Sequence, residues 1–334
     1  MYIPNSKWTW LFVAIAVIQA AVILGLEAYV FADFQIHLET PADSKSTSKT
    51  IPTFLSLYIF GFVYELVLVY DALRLKNTIQ IIGLCICNVG LLIYGAVQIE
   101  QIQDAVASLH HYLDDDLWQK AKPILIAIPC ILAFTSILMV FVAWKLYDEF
   151  AWTIYKHISA DLRMKRRYLT YQIYIALLKF DFFFFLGFTV QFVVIVTGKT
   201  DTEFALTLAA IPVTIIILFF AAYFTRREST PGMLVIILLY FGALAYFLFK
   251  LVRMYQPAKE AEYAPARRSL TFFAVITLFL IVGTIINAIL CTNNFHKGLK
   301  PHIWKIRRSN DEEKSTELGS RVPGEGIPAR MMID

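Results

Sequence analysis

Four side chains interrupt runs of apolar sequence that are otherwise long enough to cross a bilayer. Glu65 lies in LYIFGFVYELVLVYDAL, Lys179 and Asp181 in YIALLKFDFFFFLGF, and Asn287 in the last apolar run before Cys291. Ionisable and strongly polar groups are expensive in hydrocarbon, so such positions default to ion paths, substrate contacts or buried pairs. Glu65 lies about six residues, roughly 9 Å, from the basic-flanked end of its segment. The other three fall in the same half of the membrane. A pairing of Glu65 with Lys179, with Asp181 and Asn287 filling the remaining valences, makes a polar cavity open to the cytosol for a substrate or proton. The plainer reading places Lys179 and Asp181 at the interface, Lys179 snorkelling, and leaves Glu65 as a structural hydrogen-bonding group. Lys179 and Asp181 are about 200° apart on a helix, so they cannot both face one neighbour.

The remaining chemistry is sparse. His110 with Asp114 and His111 with Asp115 have i,i+4 spacing, which on a helix can hold a divalent metal. The run Asp114–Asp116 reads equally as a solvated cap or turn. Arg163, Lys165, Arg166 and Arg167 follow Phe150, Ile154, Ile158 and Leu162 at spacing four. That pattern suggests an amphipathic surface helix whose basic end contacts anionic lipid on the cytosolic face, or a plain positive-inside anchor. Gln19, Asn88 and Gln191 are expected to act as interhelical hydrogen-bonding groups. Cys85, Cys87 and Cys130 lie within apolar runs, where thiols pack as small inert hydrophobes. Cys291, beside Lys297 and Lys300, has the setting of a palmitoylation site. There is no His-Glu-x-x-His, Gly-x-Ser-x-Gly or P-loop, so the expectation is a non-enzyme without cofactor or bound metal.

The elements that must position these groups are helices. The 334-residue chain is 58% hydrophobic and only 17% charged, against about 25% charged for soluble domains. Its mean hydropathy is +0.61, concentrated in runs of about 20 residues. This excludes a soluble enzyme, a disulfide-rich module and a disordered scaffold. The net charge of +4 is too even to suggest nucleic acid. Eight spans are predicted, at 8–31, 51–73, 77–98, 121–147, 173–197, 204–224, 231–255 and 269–291. In lipid each must be helical to satisfy its own backbone. The expected class is an all-α polytopic transmembrane helix bundle.

Pro52, Pro123 and Pro231 are expected in first turns, and Pro129 and Pro212 inside helices. The first span, with its long apolar core, reads as a retained anchor rather than a signal peptide. Lys and Arg flank alternate ends of the spans, most densely at Lys156–Arg167 and Lys297–Arg308. By the positive-inside rule this places both termini in the cytosol. Residues 34–50, 100–120 and 148–172 are expected as longer loops, and 309–334 as a disordered tail. Spans two and three, and spans six and seven, are each joined by a tight basic hairpin. Each half thus repeats the same order of connections, as a four-plus-four duplication of the parallel kind would, although the halves show no evident residue-level similarity.

The opening KWTWLFVAIAVIQAAVILGLEAYVF, the run LLKFDFFFFLGFTVQFVVIV and the close NNFHKGLKP resemble an uncharacterised family of fungal Golgi apparatus multi-pass membrane proteins. The resemblance covers roughly Trp8 to Pro301, including Lys179-Phe180-Asp181 and Asn294–Lys300. It implies a Golgi membrane location and carries no active-site residues. The leading functional expectation is a structural or trafficking component. The alternative is a secondary transporter of a small solute, proton-coupled ion or lipid, and the third is a seven-span type of receptor.

Overall fold

The computed structural model describes residues 6–37, 50–108, 115–157, 162–193, 202–256 and 267–298. These form eight long helices and no strand: α1 Lys7–His37, α2 Thr50–Arg74, α3 Thr78–Ser108, α4 Asp115–His157, α5 Leu162–Gln191, α6 Thr202–Arg227, α7 Thr230–Met254 and α8 Arg267–Asn293. Each is long and apolar enough to cross a membrane, and each overlaps one predicted span. The seven-span receptor reading needs one helix fewer.

The helices overrun their apolar segments, which corrects several expectations. α3 continues through Glu100 and Asp104 to Ser108, and α4 begins at Asp115, so most of the expected 100–120 loop is helical. Pro123 therefore lies inside α4 rather than in its first turn. Likewise α4 runs on to His157, and α5 begins at Leu162. Phe150 is buried inside the bundle, and Arg163–Arg167 form the first turns of α5. Among the described residues there is no separate surface helix. Hydropathy marks where a helix enters lipid, but backbone hydrogen bonding continues into water wherever propensity allows. His110, His111, Asp114 and the tail 309–334 lie outside the described residues.

Packing divides the chain in two. α1 packs on α2 and α4, and α3 packs on the same two, closing a ring of four. α5 packs on α6 and α8, and α7 closes the second ring in the same order. The halves meet along a seam where α2 and α3 face α5 and α3 faces α8.

The repetition reaches individual residues. Thr50 and Thr202, Thr78 and Thr230, and Asp115 and Arg267 open corresponding helices, each pair 152 residues apart. The α2–α3 hairpin turns through Lys76 at φ 48°, and the α6–α7 hairpin through Glu228 at φ 55°, again 152 residues on. Asn77 N donates to Ala72 O (2.9 Å) and Lys76 N to Leu73 O (3.3 Å). In the second hairpin Ser229 N donates to Phe224 O (3.0 Å) and Glu228 N to Thr225 O (3.2 Å). Both are helix ends closed by one left-handed residue and a nested pair of backbone bonds. At the same offset Gly90-x-Leu92-x-Tyr94 recurs as Gly242-x-Leu244-x-Tyr246.

The seam is made by the phenylalanine run of α5 entering glycine-lined notches. A Cβ on Gly83 would run into the Phe180 ring, one on Gly61 would lie 3.7 Å from Phe183, and one on Gly90 3.7 Å from Phe184. Phe183 also stacks on Phe60 and Tyr64. Within the second ring, Gly187 faces Phe273, leaving only 2.7 Å for a Cβ. Lipid offers little hydrophobic drive for helix association, so this close contact is what holds the halves together.

Candidate functional site

The basic α2–α3 hairpin fixes the first polar group of the seam. Asn77 Oδ1 accepts from Ile79 N at 3.1 Å and so caps the start of α3. That turn places Gln80 opposite the last turns of α2. Gln80 Nε2 donates to Asp71 Oδ2 (3.1 Å) and to Leu68 O (2.9 Å). From α5, Lys179 Nζ forms an ion pair with Asp71 and donates to Gln80 Oε1 at 2.8 Å. Tyr64 OH donates to the Lys179 carbonyl at 2.8 Å. Lys179 and Asp71 are partly exposed, so this triad closes one end of the seam while touching solvent.

The four residues singled out in the sequence do not form one cavity. Lys179 pairs with Asp71, not with Glu65. Asp181 turns the other way, as its angular offset requires, and its Oδ2 accepts from Thr284 on α8 at 2.7 Å. Asn287 Nδ2 donates to Thr170 O at 3.1 Å, stitching α8 to the start of α5. Glu65 is buried with neither carboxyl oxygen hydrogen-bonded. Its ionisable neighbours are Cys85 and Cys87 of α3. Depth explains the mismatch: Asp71 is nearly two turns closer to the hairpin than Glu65, level with the Lys179 ammonium. Asp71 and Gln80 flank the hairpin almost symmetrically, but nothing along the chain sets them at the depth of Lys179.

Other buried polar groups lie in the first ring and across the seam. Gln19 Nε2 donates to Asn88 Oδ1 (2.7 Å), and Asn88 Nδ2 returns a bond to Gln19 Oε1 (3.1 Å) and one to Ser136 Oγ (3.0 Å). Gln191 Nε2 donates to Tyr94 OH at 3.1 Å. The three residues expected as interhelical hydrogen-bonding groups do act so. Glu27, which sequence reasoning passed over although it is an acid inside span one, accepts from Gln98 Nε2 at 3.0 and 3.2 Å. At the far end of the seam Arg268 of α8 pairs with Glu100 of α3 and reaches Asp104 at 4.0 Å. An ion pair thus crosses between the halves at each end, with Glu65 buried between them.

The thiols are not uniformly buried. Cys85 and Cys291 are, Cys87 is partly so, and Cys130 faces outward from α4. Cys291 packs inside the bundle with its Sγ 3.7 Å from Thr170 O, which leaves no room for an acyl chain and corrects the palmitoylation reading. Arg163 and Arg166 are exposed at the start of α5 while Lys165 and Arg167 are half-buried. Arg167 donates to Lys297 O at 2.7 Å. Among the described residues no cluster of His, Cys, Asp and Glu has metal-binding geometry.

Fold and site together define a polytopic membrane bundle of two four-helix rings, with polar groups held between and within them. The chain is 33% identical over 320 aligned residues to a UPF0658 Golgi apparatus membrane protein of Schizosaccharomyces pombe, covering 89% of this chain and 90% of that one. It belongs to that family of Golgi apparatus membrane proteins, as the resemblance in its opening, central and closing segments implied. No family model and no solved structure matches it.

Proposed function

We propose that the bundle is a secondary carrier moving a small solute or ion across the Golgi membrane, with Glu65 as its proton-coupling group. The observation that carries this is Glu65 itself. A buried carboxyl without any hydrogen-bond partner is uncommon in a folded protein and calls for a purpose. Parallel repeats with polar groups near their interface are a carrier architecture, in which one half rocks against the other. The ion pairs of Asp71 with Lys179 and of Glu100 with Arg268 sit where alternating access would break one end at a time. The chain's work in this reading is carriage, not catalysis.

In proteoliposomes enclosing a pH-sensitive dye, wild-type protein dissipates an imposed pH gradient when the right member of a panel of small solutes and salts is supplied. Glu65→Gln slows that dissipation at least about tenfold while eluting as a folded monodisperse species; a tenfold change in rate corresponds to about 1.4 kcal/mol. Equal rates for the two proteins, or no response of the wild type to any solute, would refute the reading. The second result leaves the structural or trafficking role, which rests on Golgi residence.

The exposed basic start of α5 supports a further reading, contact with anionic lipid headgroups on the cytosolic face. Arg163→Gln with Arg166→Gln is the informative variant, because both side chains are exposed at the start of α5. Purified from mixed anionic and zwitterionic lipid, it retains less anionic lipid than wild type by mass spectrometry. Unchanged retention removes the lipid reading.

A further inference from the structure

The two rings differ at corresponding points in their centres. In the first, Asn88 of α3 is fully hydrogen-bonded to Gln19 and Ser136. The residue 152 positions on is Tyr240 of α7, and its buried hydroxyl, beside that of Tyr174, makes no hydrogen bond of ordinary geometry. Asp181 of α5 lies within electrostatic range of Tyr240 and of Tyr174. One of its oxygens, Oδ2, takes the Thr284 bond, and the other, Oδ1, is buried and unpartnered. Tyr174 OH and Thr225 Oγ1 both approach Met233 Sδ, at 3.8 and 3.6 Å. Every helix of the second ring therefore contributes to one polar centre that is incompletely satisfied.

The charges around it are one-sided. Lys179, two residues away, points across the seam to Asp71. Lys250, the buried cation of α7, lies over the Phe192 ring at 3.7 Å, ten residues and about 15 Å along the helix from Tyr240. Among the described residues Asp181 has no basic partner, and the titratable groups facing it are Tyr174 from its own helix and Tyr240 from α7, with Cys291 of α8 beyond Tyr174.

We propose that Asp181, Tyr240 and Thr284, with Tyr174 beside them, form a binding site for a monovalent metal cation such as sodium or potassium. The donors are all oxygens, which hard cations take. A single carboxylate with a single positive charge leaves the centre neutral, the state a bilayer interior favours. A divalent ion would leave an uncompensated charge. This inference rests on the carrier reading only for the cation's use, as cargo or as driving ion. The binding is measured without flux, so its failure and the failure of the Glu65 experiment are separate outcomes.

The test is thermal unfolding of the full-length protein in detergent, titrated with sodium, potassium, lithium or choline chloride at constant ionic strength and pH. A ligand bound only by the folded state raises the midpoint logarithmically with its concentration. At least one metal cation is expected to raise it by a few degrees where choline does not. Asp181→Asn abolishes the rise. Tyr240→Phe and Thr284→Val, each of which removes only a hydroxyl or exchanges it for a methyl, shift the required concentration at least about tenfold, or about 1.4 kcal/mol. They keep the test open if Asp181→Asn does not fold. Choline matching the metals, a response to calcium or magnesium alone, stabilisation by low pH without any metal, or hydroxyl variants indistinguishable from wild type would each overturn the site.

Discussion

Gly83→Val is expected to destabilise the protein by about 1–3 kcal/mol, the usual size of an overpacked core position, and to weaken the seam between the rings. Gly83 has no side chain because the Phe180 ring occupies that space. Phe180 is buried and carried on α5, the most enclosed of the eight helices, so it cannot swing out into lipid. The melting midpoint in detergent should fall, and Phe180→Ala added to Gly83→Val should recover part of the loss by emptying the notch. Gly242, the counterpart of Gly90, has nothing within 4 Å of its would-be Cβ, so Gly242→Val should melt within a degree or two of wild type, about the spread expected of a neutral surface change. If Gly83→Val melts like wild type, the Phe–Gly contacts are not what closes the seam.

Asn88→Leu should be comparably damaging for a different reason. One interhelical hydrogen bond in a membrane protein contributes only about 0.6 kcal/mol on average, so the loss of bonds alone is modest. The larger effect is that a buried Gln19 amide loses its reciprocal partner at both ends. An orphaned buried polar group costs about 1–3 kcal/mol. Ser136 suffers less, since its hydroxyl still donates to Leu132 O at 2.6 Å. Gln19→Leu combined with Asn88→Leu should therefore be closer to wild type than Asn88→Leu alone, because no polar group is then stranded. A double variant worse than the sum of the two singles would show that the pair positions the helices rather than merely satisfying each other.

The candidate site was partly legible beforehand. Glu65, Lys179, Asp181 and Asn287 stand out because an ionisable or amide group in hydrocarbon is visible in one dimension. The 200° separation of Lys179 and Asp181 correctly sends them to different neighbours, since it depends only on helix geometry. The partner of Lys179 was not legible, because choosing Asp71 over Glu65 requires the relative depth of α2 and α5. Tyr240 gave no warning, as a tyrosine in an apolar run reads as core until its hydroxyl is seen to make no hydrogen bond of ordinary geometry. The duplication was suggested by the order of connections but hidden in the side chains. What the halves preserve is the position of helix starts and the left-handed turns at Lys76 and Glu228. Few identities survive, because lipid-facing positions exchange freely among apolar residues.

By itself the sequence determined the class of the protein, the number of its spans and where the tight hairpins fall. Those depend on local quantities, the length of an apolar run and the charges beside it. Only the tertiary structure decided which helices close into rings, that the two rings meet through α5, and that Glu65 and Asp181 are left incompletely satisfied. These depend on how far each helix slides and turns against its neighbours. That is set by contacts such as Phe180 on Gly83, between residues far apart in the chain.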